Sequence, residues 1–315
     1  MSPVSYDAAY LRLLVTIAIA YAVVAVGLRF SKVSVDFASL YDIYFALTPF
    51  LLADFYARWW KARRISAMLE ILIAGVLVIM PITVSTYLAI GVGMPLADDK
   101  LAAADSALGF DWRGLIGFVD ERPWLAWLLH RSYNSFFVQI SLIPIYFAAC
   151  GNGARACAIV FAYVVLCFLS SLISVWFPAL GTYVTYGVGP DDLVNINAKY
   201  GFFFLEQFHA VREQADFVLT AGRTAGILTF PSVHAGVAAL CAWAAWDSRL
   251  LRYPVLLLNV AMAVSAVTDA NHYAVDVIAG LGVASISVGA ARAVFYRRSP
   301  AAPAMSPSLA PALAS

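Results

Sequence analysis

The feature that most constrains this chain is a series of apolar runs, each long enough to cross a lipid bilayer. A helix needs about 20 mostly apolar residues to traverse a hydrocarbon core of about 30 Å, because each residue advances it by about 1.5 Å. Counted against that length, about eight runs qualify, at approximately 9–29, 38–58, 68–93, 124–149, 155–178, 232–247, 253–270 and 272–293. Asp42 and Asp54 interrupt the second run, and Asp54 has Arg58 four residues on as a helix-end partner. His130, Arg131, Asn134 and Gln139 make the fourth amphipathic, as expected of a helix packed inside a bundle rather than facing lipid. The expected fold is therefore an all-α integral membrane protein with about eight transmembrane helices.

Composition agrees, with 63% of the 315 residues hydrophobic and 12% charged. An ordinary soluble domain carries roughly 25% charged residues, so a soluble globular enzyme is excluded. Twenty Lys and Arg against nineteen Asp and Glu leave a net charge of +1. No global basic field exists to hold a nucleic-acid backbone, and nucleic acid is not an expected partner. Cys150, Cys157, Cys167 and Cys241 lie in or beside apolar runs without a C-x-x-C pair, which reads as small core residues rather than a disulfide framework or zinc site.

Orientation follows from basic residues in the short connections, which favour the cytoplasm. Arg58, Lys61, Arg63 and Arg64, then Arg155, then Arg249 and Arg252, then Arg292, Arg297 and Arg298 all fall on one side, a bias weakened by Arg29 and Lys32 in the first outer connection. The first run has no basic stretch before it and no small-residue cleavage site, so it reads as a retained helix rather than a removed signal peptide. Two long connections then face outward. The acidic one, about 94–122, carries Leu101, Leu108 and Phe110, which would let a short helix lie along the interface. The other, about 179–231, is glycine-rich and then aromatic, either a functional loop or a strip that seals the rim. The Pro, Ala and Ser tail at 299–315 is expected to be disordered and cytoplasmic.

Two of the four histidines sit where a polar outer connection meets an apolar run. His234 lies in Pro231-Ser232-Val233-His234, and His272 heads His272-Tyr273-Ala274-Val275-Asp276. One run down, a short basic turn and one run back separate them, so the charge pattern returns His272 to the membrane level of His234. Pro231-Ser232 is a helix-start signal, and the free N–H groups of such a start attract anions. Ser232 is thus either a plain cap or a phosphate ligand. His272 and Asp276, four apart, share a helix face, where the carboxylate can hold one ring nitrogen and leave the other with its lone pair. That makes a nucleophile or base, and His234 with an ordinary pKa can supply a proton to a leaving oxygen. The same residues equally describe a metal half-site or a proton relay, so a transporter or proton-coupled carrier is the alternative reading.

At these residues the chain resembles the type 2 phosphatidic acid phosphatase superfamily of integral membrane lipid phosphatases and phosphotransferases. The superfamily's P-S-x-H motif matches Pro231-Ser232-Val233-His234, and its H-x-x-x-D core matches His272 to Asp276. The wording F-P-S-x-H-A-G with H-Y-x-x-D is similar to the inositol phosphorylceramide synthase branch, and Asp105-Ser106-Ala107-Leu108-Gly109-Phe110 with Trp112 is similar to a segment of its bacterial relatives. The resemblance implies a six-helix catalytic domain at 68–298 preceded by two additional helices in 1–67. It implies that His272 attacks phosphorus to give a phosphohistidine, Asp276 orients it, His234 protonates the departing oxygen and Ser232 holds the phosphate. It implies no metal or organic cofactor. The expected substrate is a lipid phosphate or phospholipid headgroup at the outer side of the plasma membrane, released to water or to a polyol such as inositol. The chain lacks the superfamily's K-x-x-x-x-x-x-R-P motif, and Ala266 stands at the arginine position before His272. Charge on a transferring phosphoryl group still needs compensation, and among Lys199, Arg212 and Arg223 of the outer connection, Arg223 is the expected cation, with an interfacial headgroup contact as its other reading.

Overall fold

The computed structural model describes residues 2–297, so the tail expected at 299–315 lies outside the described residues. Its helices of nine or more residues are α1 (Tyr6–Arg29), α2 (Thr48–Trp59), α3 (Arg63–Leu77), α4 (Ile79–Gly91), α5 (Asp98–Ala107), α6 (Trp112–Asp120), α7 (Pro123–Asn134), α8 (Phe136–Ala149), α9 (Gly153–Ser174), α10 (Leu205–Glu213), α11 (Val233–Ala245), α12 (Arg252–Thr268) and α13 (Ala274–Phe295). Among the described residues, four segments are long and apolar enough to cross a membrane: α1, α3 running into α4, α9, and α13. Three further apolar helices, α8, α11 and α12, are shorter, at 14, 13 and 17 residues.

The second expected run does not form one helix. It breaks into the turns Phe37–Leu40 and Tyr41–Phe45 and then α2, with Asp36 capping the first turn through the Ala38 N–H and Pro49 opening α2. Proline lacks the N–H that would continue a helix, so the run restarts at α2 instead of forming one helix. The Asp54–Arg58 pair does form, at 2.8 Å, and it joins a larger cluster: Ser66 donates to Asp54, and both Arg58 and Tyr6 reach the buried Glu70.

Helix α9 is the hub, packing against α1, α3, α4, α8, α11 and α13. Its buried Ala154, Ala156, Cys157, Ala158 and Ala162 carry little side-chain bulk, which lets neighbouring helices approach closely where lipid supplies no hydrophobic drive to associate. Polar bridges add direction inside the bundle, with Ser85 to Ser171 at 2.9 Å and Asn259 to Gln139 at 2.6 Å. Cys157, Cys167 and Cys241 are buried free thiols, and Cys150 is exposed.

The two faces of the bundle differ. At one, Ser2–Pro3 pairs antiparallel with Tyr296–Arg297, and the buried Arg155 closes the carbonyls of Trp243 and Ala244 at the end of α11 and meets Asp247. At the other, the two long connections fold onto each other. Val33–Val35 pairs parallel with Phe217–Leu219, while Phe204, Phe208 and Val211 bury beside Val84, Tyr87 and Ile90 of α4. Leu101 of α5 does not lie along a lipid interface as expected; it buries among Ala97, Ala179 and Tyr273, whereas Leu108 is exposed.

Candidate active site

His234 and His272 come to the same end of the bundle because α11 and α13 start there side by side. The N–H of Ser232 donates to the carbonyl of Asp276 at 3.0 Å, so the start of α11 is tied to the first turn of α13. Gly280 permits this approach: a Cβ there would stand 2.2 Å from the Ser232 carbonyl oxygen. Ser232, fully buried, caps α11 by accepting from the Ala235 N–H at 3.3 Å. The amides of Val233 and His234 are the first of the helix and have no partner in its ladder, which leaves two donors at the positive end of the helix dipole.

Asp276 is fully buried and fixed as an acceptor. Its Oδ2 receives the Tyr273 N–H at 3.0 Å and faces Nδ1 of His272 at 3.2 Å. A carboxylate in that position holds the imidazole proton on Nδ1, and the lone pair then resides on Nε2. His234 is half-buried and held by rings rather than hydrogen bonds, stacked on Tyr133 at a centroid separation of 4.1 Å and tilted against Phe136 at 4.6 Å. His234 lies two residues after Ser232, whose N–H is bonded to Asp276, the partner of His272. Two histidines and a carboxylate gathered at one rim can carry out nucleophilic attack with separate proton delivery.

Every residue around His272 is anchored by the outer connections, which spacing alone did not reveal. Asn271 exchanges contacts with the segment Leu180–Thr182, donating to the Leu180 carbonyl at 2.7 Å and accepting the Thr182 N–H at 2.9 Å. Gly181 sits there at φ +91°, and a Cβ would meet the Asn271 carbonyl at 2.3 Å, so only glycine fits. The hydroxyl of buried Tyr273 donates to Asp98, whose carboxylate also takes the N–H groups of Leu180 and Gly181. Asp105 accepts from Ala274 at 2.8 Å and Val275 at 2.9 Å, capping α13 itself. Asp120 takes three more, from Val194, Asn195 and Ile196; burial raises its carboxyl, but these donors outweigh that and hold it below the usual carboxylate range. The acidity of the first connection, read from sequence as an orientation marker, is thus also a set of staples.

Asp105 yields a direct expectation. Asp105→Ala removes the cap from the helix that carries Asp276, costing about 1–2 kcal/mol of stability. The melting temperature of the detergent-solubilised protein should fall, and turnover should fall with it while the Michaelis constant changes little.

Arg223 is exposed in the turn Ala221–Arg223 and, among the described residues, makes no hydrogen bond or ion pair that would tie it to His272. Lys199 is exposed over the Phe203 ring, and Arg212 donates to the Met94 carbonyl at 2.9 Å. The contacts therefore join Ser232, Asp276 and His272 at one rim, with His234 two residues beyond Ser232, and Arg223 lies outside them.

A comparison with curated proteins and one with solved structures each return no match. Residues 99–290 match the profile described as PAP2 superfamily. That segment is more than half of the chain and contains Asp105, Ser232, His234, His272 and Asp276, so this helical membrane protein belongs to the PAP2 superfamily.

Proposed function

We propose that the protein is an integral membrane phosphoryl-transfer enzyme that acts on a lipid phosphate or phospholipid headgroup through a phosphohistidine. The observation that carries this reading is the Asp276-held His272 beside the donor-rich start of α11, joined by the Ser232 to Asp276 backbone bond.

In the first step Nε2 of His272 forms a bond to phosphorus, the bond from phosphorus to the lipid alkoxide breaks, and His234 gives its proton to that oxygen. In the second, water or an alcohol attacks phosphorus, its proton passes to His234, and the bond to Nε2 breaks. Asp276 stabilises the charged ring of His272 throughout. Ser232 and the free amides of Val233 and His234 receive phosphate oxygens. Arg223, exposed and without an ion-pair partner among the described residues, is the proposed cation of the outer connection, whereas the Arg212 guanidinium already serves the Met94 carbonyl.

The basic connections support a site on the outer, periplasmic side of the plasma membrane. A catalytic unit at 68–298 with six crossings, behind two additional helices in 1–67, fits the pairing of Ser2–Pro3 with Tyr296–Arg297, which returns both described ends to one face. The F-P-S-x-H-A-G wording favours transfer to a polyol such as inositol over hydrolysis.

The test supplies the reconstituted protein with phosphatidate labelled in its phosphate. The expected result is an acid-labile, base-stable label on the His272 peptide, chased by added water or glycerol into free phosphate or glycerol phosphate. An unlabelled protein that releases neither product overturns the reading.

A further inference from the structure

A second histidine–carboxylate pair lies beside the first and takes no part in the chemistry above. Nδ1 of His130, on α7, faces Oδ1 of Asp269 at 2.7 Å, and Asp269 is 2% exposed at the end of α12. Thr268 donates to the other carboxylate oxygen at 3.0 Å. On the far side of the ring, Asn134 donates through Nδ2 to Nε2 of His130 at 3.1 Å, and the Tyr200 hydroxyl donates to Oδ1 of Asn134 at 2.7 Å. Tyr200 belongs to the outer connection. The chain of donors fixes one pattern: the Tyr200 hydroxyl sets the Asn134 amide, the amide sets Nε2 as an acceptor, and Asp269 accepts a hydrogen bond from the Nδ1–H.

This pattern is half-exposed where it would meet a ligand and buried where it is anchored. The His130 side chain is 28% exposed and that of Asp269 3%. It is also one ring away from the reacting centre: Tyr200 packs on Tyr133 at 5.0 Å, and Tyr133 stacks on His234 at 4.1 Å. An imidazole acceptor, a carboxamide and a phenol, with Asn134 exposed and His130 and Tyr200 half-buried, match the alternating donors and acceptors of a neutral polyhydroxylated molecule.

We propose that His130, Asn134 and Tyr200, with Asp269 as their positioning residue, form the subsite that binds the hydroxyl groups of the acceptor alcohol and presents one of them to phosphorus beside His234. The inference rests on the phosphohistidine reading and specifies its second step. The acceptor hydroxyl oxygen forms the new bond to phosphorus, His234 takes the hydroxyl proton, and the bond to His272 breaks. Occupation by the alcohol replaces the contact between Asn134 and His130.

The experiment uses the full chain with phosphatidate labelled in its phosphate and with glycerol or myo-inositol as the acceptor probe. It reads two quantities: labelling of His272, and the ratio of labelled polyol phosphate to free phosphate. His130→Gln and Tyr200→Phe, the second of which keeps the packed ring, are expected to lower that ratio by at least about tenfold, the equivalent of one lost hydrogen bond to a charged or fixed partner. Labelling of His272 stays within about twofold. An unchanged ratio in both variants, a fall in labelling by the same factor as transfer, or a wild-type protein that hands phosphate only to water each overturns the subsite and leaves the phosphohistidine reading standing. A wild-type protein that never becomes labelled overturns both.

Discussion

His272→Gln is expected to eliminate the labelled phosphoprotein and to lower turnover by at least about 10⁴-fold, because the covalent route needs the Nε2 lone pair and no neighbouring group replaces it. Asp276→Asn is the sharper companion. The Asn amide fits the same buried space, but Oδ2 of Asp276 alone both accepts the Tyr273 N–H and faces Nδ1 of His272, so an amide oxygen there leaves the ring with an uncharged acceptor, and an amide nitrogen there gives up the Tyr273 N–H. Either placement removes the carboxylate charge that stabilises the His272 ring, and a loss of up to about 10⁴-fold is the precedent for replacing such an aspartate by asparagine. Pre-steady-state labelling separates the two proposed roles of the histidines. His234→Gln should label slowly and remain labelled, since the same group delivers the first proton and takes the second. Normal turnover in His272→Gln would remove the nucleophile from the proposal altogether.

What the sequence disclosed and what it hid divide along the range of the forces involved. The pair His272 and Asp276 was readable because helical spacing puts residues four apart on one face, and the same rule found Asp54 with Arg58. Ser232 was readable because capping is local, and the structure bears out its cap geometry. His130 with Asp269 is separated by 139 residues and Asp105 with Ala274 by 169, so no periodicity connects them. Each half looked ordinary alone: a polar residue on an amphipathic helix, an aspartate in an acidic connection. Helix ends were hidden for a related reason. Apolar content continues through Ser135 between α7 and α8 and through Ala46 and Leu47 before α2, while the helical ladder is interrupted there. Hydropathy records what lipid or a core will accept, whereas the break points depend on caps, prolines and tertiary partners.

The contact between α11 and α13 supplies the second large effect, because a single methyl group tests whether their joined starts make the site. Gly280→Ala places a Cβ 2.2 Å from the Ser232 carbonyl oxygen and 3.2 Å from its carbonyl carbon, both backbone atoms that cannot swing aside. The helices must separate, and the Ser232 N–H to Asp276 bond lengthens or breaks. Overpacking of this kind costs about 1–3 kcal/mol, partly offset by the roughly 0.5–1 kcal/mol that alanine gains over glycine inside a helix. Its effect on chemistry is larger than its effect on folding, since a displacement of about 1 Å between the reacting groups lowers the rate by about 10²-fold. Gly282→Ala, two residues along the same helix, is the matched control: a Cβ there meets nothing within 4 Å. It should keep full activity and raise the melting temperature slightly. Thermal unfolding and phosphatidate turnover of the two variants, measured side by side in detergent, give opposite signs if the shared rim of α11 and α13 is where phosphate is handled. Equal activity in both would mean that the reaction does not depend on how closely Ser232 and Asp276 are held.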